Sequence, residues 1–201
     1  MALVIWLASY PRSGNNFVVN LVAHCFDHVH PMSKYHPEFT SFDALADGRR
    51  TVLLKTHEAP ENDAPTLFLL RDGRASAVSY FHFLKAFGYS HSLEDVIEGK
   101  VMFGGWSGHY RSWAPEERPN TTVIRFEDFT ADPEIAIEAV AAMMNVRPVR
   151  RFDKTFADLH AQNPKIFRRG SNRANLEELT PDQMQLFMQR HGALLRQLGY
   201  V

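Results

Sequence analysis

The chain has one cysteine, Cys25. That excludes an internal disulfide framework and suits a reducing compartment, so a cytoplasmic location is expected. Long apolar runs are missing as well. The stretch from Ala2 to Ala8 is far shorter than the roughly 20 residues of a membrane helix. It has no basic segment before it and no separate cleavage site after it, so it predicts a buried strand rather than a membrane span or a leader. Excess charge of either sign is missing, with 22 Lys and Arg against 23 Asp and Glu. The balance gives no sign of a nucleic-acid partner, although it is compatible with a local basic cleft. Metal-ligand spacing is missing. His24, His28, His30 and His36 crowd together but match no zinc pattern, and no cysteine pair accompanies them, so no metal is expected. Repeats and low-complexity tracts are missing too. With 201 residues, 45% of them hydrophobic, the chain is expected to form a single domain over 1–201 with a sizeable core.

What is present starts at residues 3–17. An apolar run from Leu3 to Ala8 leads into a tight polar stretch, Ser9 to Asn16, and a second apolar pattern opens at Phe17. This reads as strand, glycine-bearing turn and helix start. Such a turn aims backbone N–H groups and a helix N-terminus at one spot, which suits an anion. Arg12 adds a fixed charge with a fork of donors. The stretch is not a Walker A loop, because Gly14 is its only glycine and no Lys-Ser/Thr follows. An ordinary strand-to-helix turn with a surface arginine is the plain alternative.

Further along, spacing predicts a helix over Asn16–Phe26 with Phe17, Leu21 and Cys25 on its inner face. Pro31 to Asp47 predicts a loop with one short helix near Phe42–Leu45. Strands are expected at Thr51–Lys55, Thr66–Leu70 and Thr121–Phe126. Helices are expected at Arg74–Leu84, with Ala75, Val78, Phe81 and Leu84 inward, at Leu93–Glu98 and at Ser107–Trp113. Trp106, His109 and Trp113 read as core. Asp132 is expected to cap a helix that has Pro133 at its first position and Ile137, Val140 and Met144 inside. Thr180-Pro181-Asp182-Gln183 is a capping box opening a last helix. Its stripe is Met184, Phe187, His191, Leu194 and Leu198, with His191 packed and Gly199 ending the helix. Short apolar strands alternating with helices predict an α/β fold with a mainly parallel sheet. Ligands bind such sheets beyond the carboxyl ends of the strands, where Arg12, Lys55-Thr56-His57 and Arg71 fall.

Four separate stretches, in order, resemble the sulfotransferases that use 3′-phosphoadenosine-5′-phosphosulfate (PAPS). Tyr10-Pro11-Arg12-Ser13-Gly14-Asn15-Asn16-Phe17 is similar to that family's 5′-phosphosulfate loop, with Arg12 in place of the commoner lysine and amides where hydroxyls are usual. Lys55-Thr56-His57 is similar to the family's Lys-Thr/Val-His. The stretch from Phe68 to His82 looks like the 3′-phosphate element, with Arg71 and Ser79 in the binding places. Phe167-Arg168-Arg169-Gly170 is similar to the late Arg-Lys-Gly loop. Besides these four, Arg125-Phe126-Glu127-Asp128 also resembles the family's Tyr-Glu-Asp after the fourth strand.

The resemblance implies a P-loop-like, three-layer fold and a PAPS-dependent sulfotransferase that needs no metal and acts on a small-molecule acceptor. His57 would be the general base, its ordinary pKa being near neutrality. Arg12 and Lys55 would stabilise the transferring group. Arg12, Ser13, Gly14, Asn15, Asn16, Phe17, Arg71, Ser79, Phe126, Arg168, Arg169 and Gly170 would hold the nucleotide, with Phe17 and Phe126 beside adenine or simply in the core. The amides of Asn15 and Asn16 would replace hydroxyl donors. Two alternatives stand: a nucleotide-dependent phosphotransferase of the same fold class, and a non-catalytic nucleotide-binding domain.

Overall fold

The two clearest apolar runs, Val4–Ala8 (β1) and Thr66–Leu70 (β4), lie side by side and parallel in a computed structural model that describes residues 3–168 and 170–201. Every residue of both strands is buried, as a parallel strand covered on both faces requires. Thr51–Thr56 (β3) pairs with the other edge of β1. Val29–Ser33 (β2) and Thr121–Arg125 (β5) complete the order β2-β3-β1-β4-β5, every pair parallel. The expected α/β class is therefore what the chain has, a five-stranded parallel sheet flanked by helices. Because β1 is paired on both edges, the strand order reverses at its carboxyl end, the position where such sheets place their ligand sites.

The helices are α1 (Asn15–Cys25), α2 (Phe42–Ala46), α3 (Gly73–Ala86), α4 (Leu93–Glu98), α5 (Trp106–Trp113), α6 (Phe126–Ala131), α7 (Glu134–Met144), α8 (Phe156–Gln162), α9 (Asn172–Leu176) and α10 (Pro181–Gln197). The chain groups into two compact units. One holds residues 3–9, 14–70 and 113–153, and the other holds 10–13, 71–112 and 154–201, of which 169 is not described.

The first unit contains the whole sheet. Phe17, Leu21 and Cys25 face inward from α1, as their spacing predicts, and Cys25 is a buried small hydrophobe. Trp6 of β1 packs against Phe42 at 4.9 Å and edge-on to Trp113 at 6.4 Å, and its Nε1 donates to Asn62 Oδ1 at 2.9 Å. Ile137, Val140 and Met144 are the buried face of α7. Asp132 accepts from the Glu134 N–H at 3.1 Å, but α7 begins at Glu134 with Pro133 as its N-cap, so the cap falls one residue later than expected. Two other expectations need correction. The segment read as a loop from Pro31 is partly β2, and β5 ends at Arg125, after which Phe126 opens α6.

The second unit is helical among its described residues. The capping box of α10 forms as its sequence predicts, with Gln183 N–H donating to Thr180 Oγ1 at 3.2 Å and Thr180 N–H to Gln183 Oε1 at 3.1 Å. Phe187, His191 and Leu194 are buried, and Leu198 just beyond its end is buried as well. His191 is a core residue, with Nδ1 accepting from the Ser107 hydroxyl at 2.7 Å and Nε2–H donating to the Ile97 carbonyl at 2.7 Å. Trp106 and His109 are buried too. On α3, Ala75, Val78 and Leu84 face inward as expected, but Tyr80 rather than Phe81 completes the buried face. Phe81 stays half-buried, with the Lys85 ammonium 5.2 Å from its ring centre.

Candidate functional site

In the first unit, parallel pairing sets Lys55 opposite Leu7 and Thr56 opposite Ala8, so the Lys55-Thr56-His57 stretch runs beside the carboxyl end of β1. Lys55 Nζ donates to Asn16 Oδ1 at 2.9 Å, which joins the end of β3 to the first turn of α1. His57 Nδ1 lies 2.9 Å from the Ser9 carbonyl oxygen. A carbonyl can only accept, so Nδ1 carries the proton and Nε2 keeps its lone pair. A base needs that tautomer. The segment after His57 is also fixed, because Glu58 N–H donates to Thr56 Oγ1 at 3.1 Å and the Trp113 indole donates to the Glu58 carbonyl at 2.8 Å. Lys34 bridges the carboxylates of Glu58 and Glu61. Burial works against its charge, but the two carboxylates outweigh burial and hold its pKa above the ordinary value.

Gly14 sits at φ 102, as the N-cap of α1 with no side-chain cap bond. A Cβ there would come within 2.6 Å of Phe129 and 3.0 Å of Phe126, so packing and backbone both demand glycine. Asn15 behaves differently from the expectation. Its Nδ2 donates to the Leu7 carbonyl at 3.3 Å and its Oδ1 accepts from the Ser9 hydroxyl, so its side chain turns inward and staples α1 to β1. What it can present to an anion is its backbone N–H. Asn16 meets Lys55 instead. Phe17 is buried against Phe129 and Phe152, with ring centres 5.8 Å and 5.4 Å away, and Phe126 is buried against Phe129 at 5.7 Å.

In the second unit, Arg12, Ser13, Arg71, Ser79 and Arg168 come from three stretches of sequence. Arg12 has φ 70, a left-handed conformation uncommon for a residue with a side chain. Its Nε donates to Ser79 Oγ at 3.2 Å and its Nη2 to the Ile166 carbonyl. Arg71 is buried. Its Nη1 donates to the Arg12 carbonyl at 2.7 Å and its Nε to Asn172 Oδ1 at 2.8 Å. Arg71 thus braces the strained residue. Burial, and then the neighbouring charge of Arg168, push the Arg12 pKa down to about 10, which still leaves it cationic at neutral pH. Ser13 is buried. Arg168 donates to Glu178 Oε1 at 2.9 Å and also to Asn175. His82, for which the sequence gives no role, meets the other oxygen of Glu178 at 2.5 Å. Arg169 lies outside the described residues. Gly170 has φ 63, and a Cβ there would fall 2.5 Å from the Phe156 ring.

The partners missed by sequence reasoning are Ser9, Asn172, Asn175 and Glu178. Ser9 acts on His57 through a backbone carbonyl, which leaves no mark in a sequence. Asn172 and Asn175 do carry a signal, since they stand three apart on α9 immediately after Gly170, a spacing that puts both on one helix face. Among the described residues, no group of three or more His, Cys, Asp or Glu is arranged to hold a metal ion. No helix among them is long and apolar enough to cross a membrane.

A family model described as a sulfotransferase domain matches residues 4–193. Human sulfotransferase 1C2 is 24% identical over 186 residues, which cover 76% of this chain and 60% of the human one. Dog sulfotransferase 1B1 is 26% identical over 174 residues, 70% of this chain and 58% of the dog protein. The chain thus spans about 60% of the length of these relatives. Among solved structures, mouse sulfotransferase SULT7A1 complexed with PAP superposes with a TM-score of 0.76 at 18% identity, over 98% of this chain and 88% of that one. Retinol dehydratase in complex with androsterone and inactive cofactor PAP gives 0.69 at 15% identity, over 96% and 80%. At such identities the structural likeness is one of fold.

Proposed function

The chain belongs to the sulfotransferase family, and we propose that it is a single-domain, cytoplasmic enzyme that moves the sulfuryl group of PAPS to a hydroxyl or amine of a small acceptor. What supports the donor assignment most is the meeting of Arg12 with Ser79 and Arg71 in the second unit, two cations and a hydroxyl from two stretches joined at 3.2 Å and 2.7 Å. In this reading Arg71, Ser79 and the Arg168-Arg169-Gly170 loop hold the 3′-phosphate. Arg12, Ser13 and the N–H groups of Gly14, Asn15 and Asn16 hold the 5′-phosphosulfate, and Phe17 and Phe126 border the adenine. PAP, as carried by the mouse and retinol dehydratase structures, is the product left by PAPS.

The chain's own groups have separable tasks. His57 Nε2 takes the acceptor's proton as the acceptor oxygen or nitrogen forms its bond to sulfur. The bond between sulfur and the 5′-phosphate oxygen breaks, and its electron pair stays on that oxygen. Arg12 and the loop N–H groups stabilise the charge that develops there, and Lys55 stabilises the oxygens of the moving sulfuryl group. No step calls for a metal. The test is incubation with labelled PAPS and a panel of small alcohols, phenols and amines. Transfer of label to at least one class, with release of adenosine 3′,5′-bisphosphate, is expected. Absence of both transfer and release across the panel would contradict the reading.

A further inference from the structure

His57 lies one residue past the end of β3, where the sheet ladder stops supplying partners. Its backbone N–H nevertheless has one, donating to the hydroxyl of Tyr35 at 2.9 Å. The Tyr35 ring lies nearly parallel to the imidazole, at 16° with centres 6.1 Å apart. Tyr35 is itself anchored. Its N–H donates to Ser33 Oγ at 3.2 Å, and the preceding Lys34 N–H donates to the Lys55 carbonyl at 2.9 Å, extending the β2–β3 pairing by one residue. Burial raises the hydroxyl's pKa, so it stays neutral and able both to give and to accept a hydrogen bond.

We propose that Tyr35 is a positioning residue for His57: its hydroxyl clamps the Thr56-His57 backbone, and its ring flanks the imidazole so that Nδ1–H stays on the Ser9 carbonyl and Nε2 stays aimed as a base. The proposal rests on the reading of His57 as general base. Ser9 fixes one end of the imidazole, but the backbone from which the ring hangs needs its own anchor beyond the strand end. Tyr35 supplies it from β2, the edge of the same sheet. A base must stand within hydrogen-bond reach of its proton, and a misplacement of about 1 Å costs on the order of a hundredfold in rate.

Tyr35→Phe removes the hydroxyl and keeps the ring. Nitrogen-resolved NMR of the His57 imidazole, assigned by comparison with His57→Asn, reads the tautomer without any acceptor. The wild type should show the Nδ1-protonated form, and Tyr35→Phe should show a rising Nε2-protonated share. Turnover of labelled PAPS with 4-nitrophenol should fall about tenfold or more, a fraction of the cost of a full ångström, with the donor KM unchanged. In a His57→Asn background, Tyr35→Phe should have no further effect. An unchanged His57 spectrum in folded Tyr35→Phe overturns the proposal, whatever the rate with 4-nitrophenol. Wild-type turnover by His57→Asn would instead overturn the base reading and Tyr35's catalytic purpose with it. An inactive His57→Asn beside a Tyr35→Phe that matches wild type in spectrum and rate would overturn the proposal for Tyr35 alone.

Discussion

Arg12 combines a strained backbone, at φ 70, with a half-buried guanidinium that remains charged because its pKa, though lowered by desolvation and Arg168, is still about 10. Both properties suit a fixed electrostatic role and argue against a role in proton transfer. Arg12→Ala should therefore lower kcat by at least ~10²-fold, the scale for losing one preorganised donor to developing charge. Arg12→Lys should lose less, because it keeps the charge and gives up the Nε bond to Ser79. Steady-state kinetics on proteins with unchanged melting temperatures checks both, and near-wild-type turnover by Arg12→Ala would remove Arg12 from the mechanism. At this scale side-chain chemistry was itself the signal that put Arg12, Lys55, His57 and Arg71 forward as candidates. It was misleading for Asn15, whose amide could equally face a ligand or the protein. The hydroxyl of Ser9 and the carbonyl of Leu7 decide for the protein.

The elements divide by how they are buried. β1 and β4 are covered on both faces and read as unbroken apolar runs, and α1, α7 and α10 each bury one stripe and read by period. β2, with sequence Val-His-Pro-Met-Ser, was not legible as a strand. It is an edge strand with only Val29 buried, and Pro31 within it is tolerated because an edge need not donate on both sides. Short α8 and α9 bury one residue each, Leu159 and Asn175, so neither shows a period. The packed histidine of α10 yields a pH prediction. Burial lowers the His191 pKa below its ordinary 6.5, so as pH falls the unfolded chain takes up this proton before the folded one does. Stability is therefore present above the unfolded value and is lost as pH falls through it toward the lowered folded value. Urea unfolding at pH 7.5 and at about pH 5.5 should show a drop that shrinks in His191→Gln. An equal drop in both proteins would mean that His191 does not carry it.

Across the whole molecule, one family model spans residues 4–193 and so takes in stretches of both compact units. The fold class was legible because strands and helices alternate, and the order of four motifs pointed to one family. The acceptor was not legible, because the motifs concern the nucleotide, and the chain covers only about 60% of the length of its curated relatives. The central claim, that the chain is built for a 3′-phosphorylated adenine nucleotide, is therefore tested most directly on the free protein by calorimetric titration with adenosine 3′,5′-bisphosphate and with ADP. One charge-assisted contact to the 3′-phosphate contributes ~1.5–3 kcal/mol, or roughly 10- to 150-fold in affinity. The bisphosphate should bind more tightly by at least that margin, although ADP has the longer 5′ chain. Equal affinity for the two nucleotides would contradict the account and favour a phosphotransferase of the same fold class.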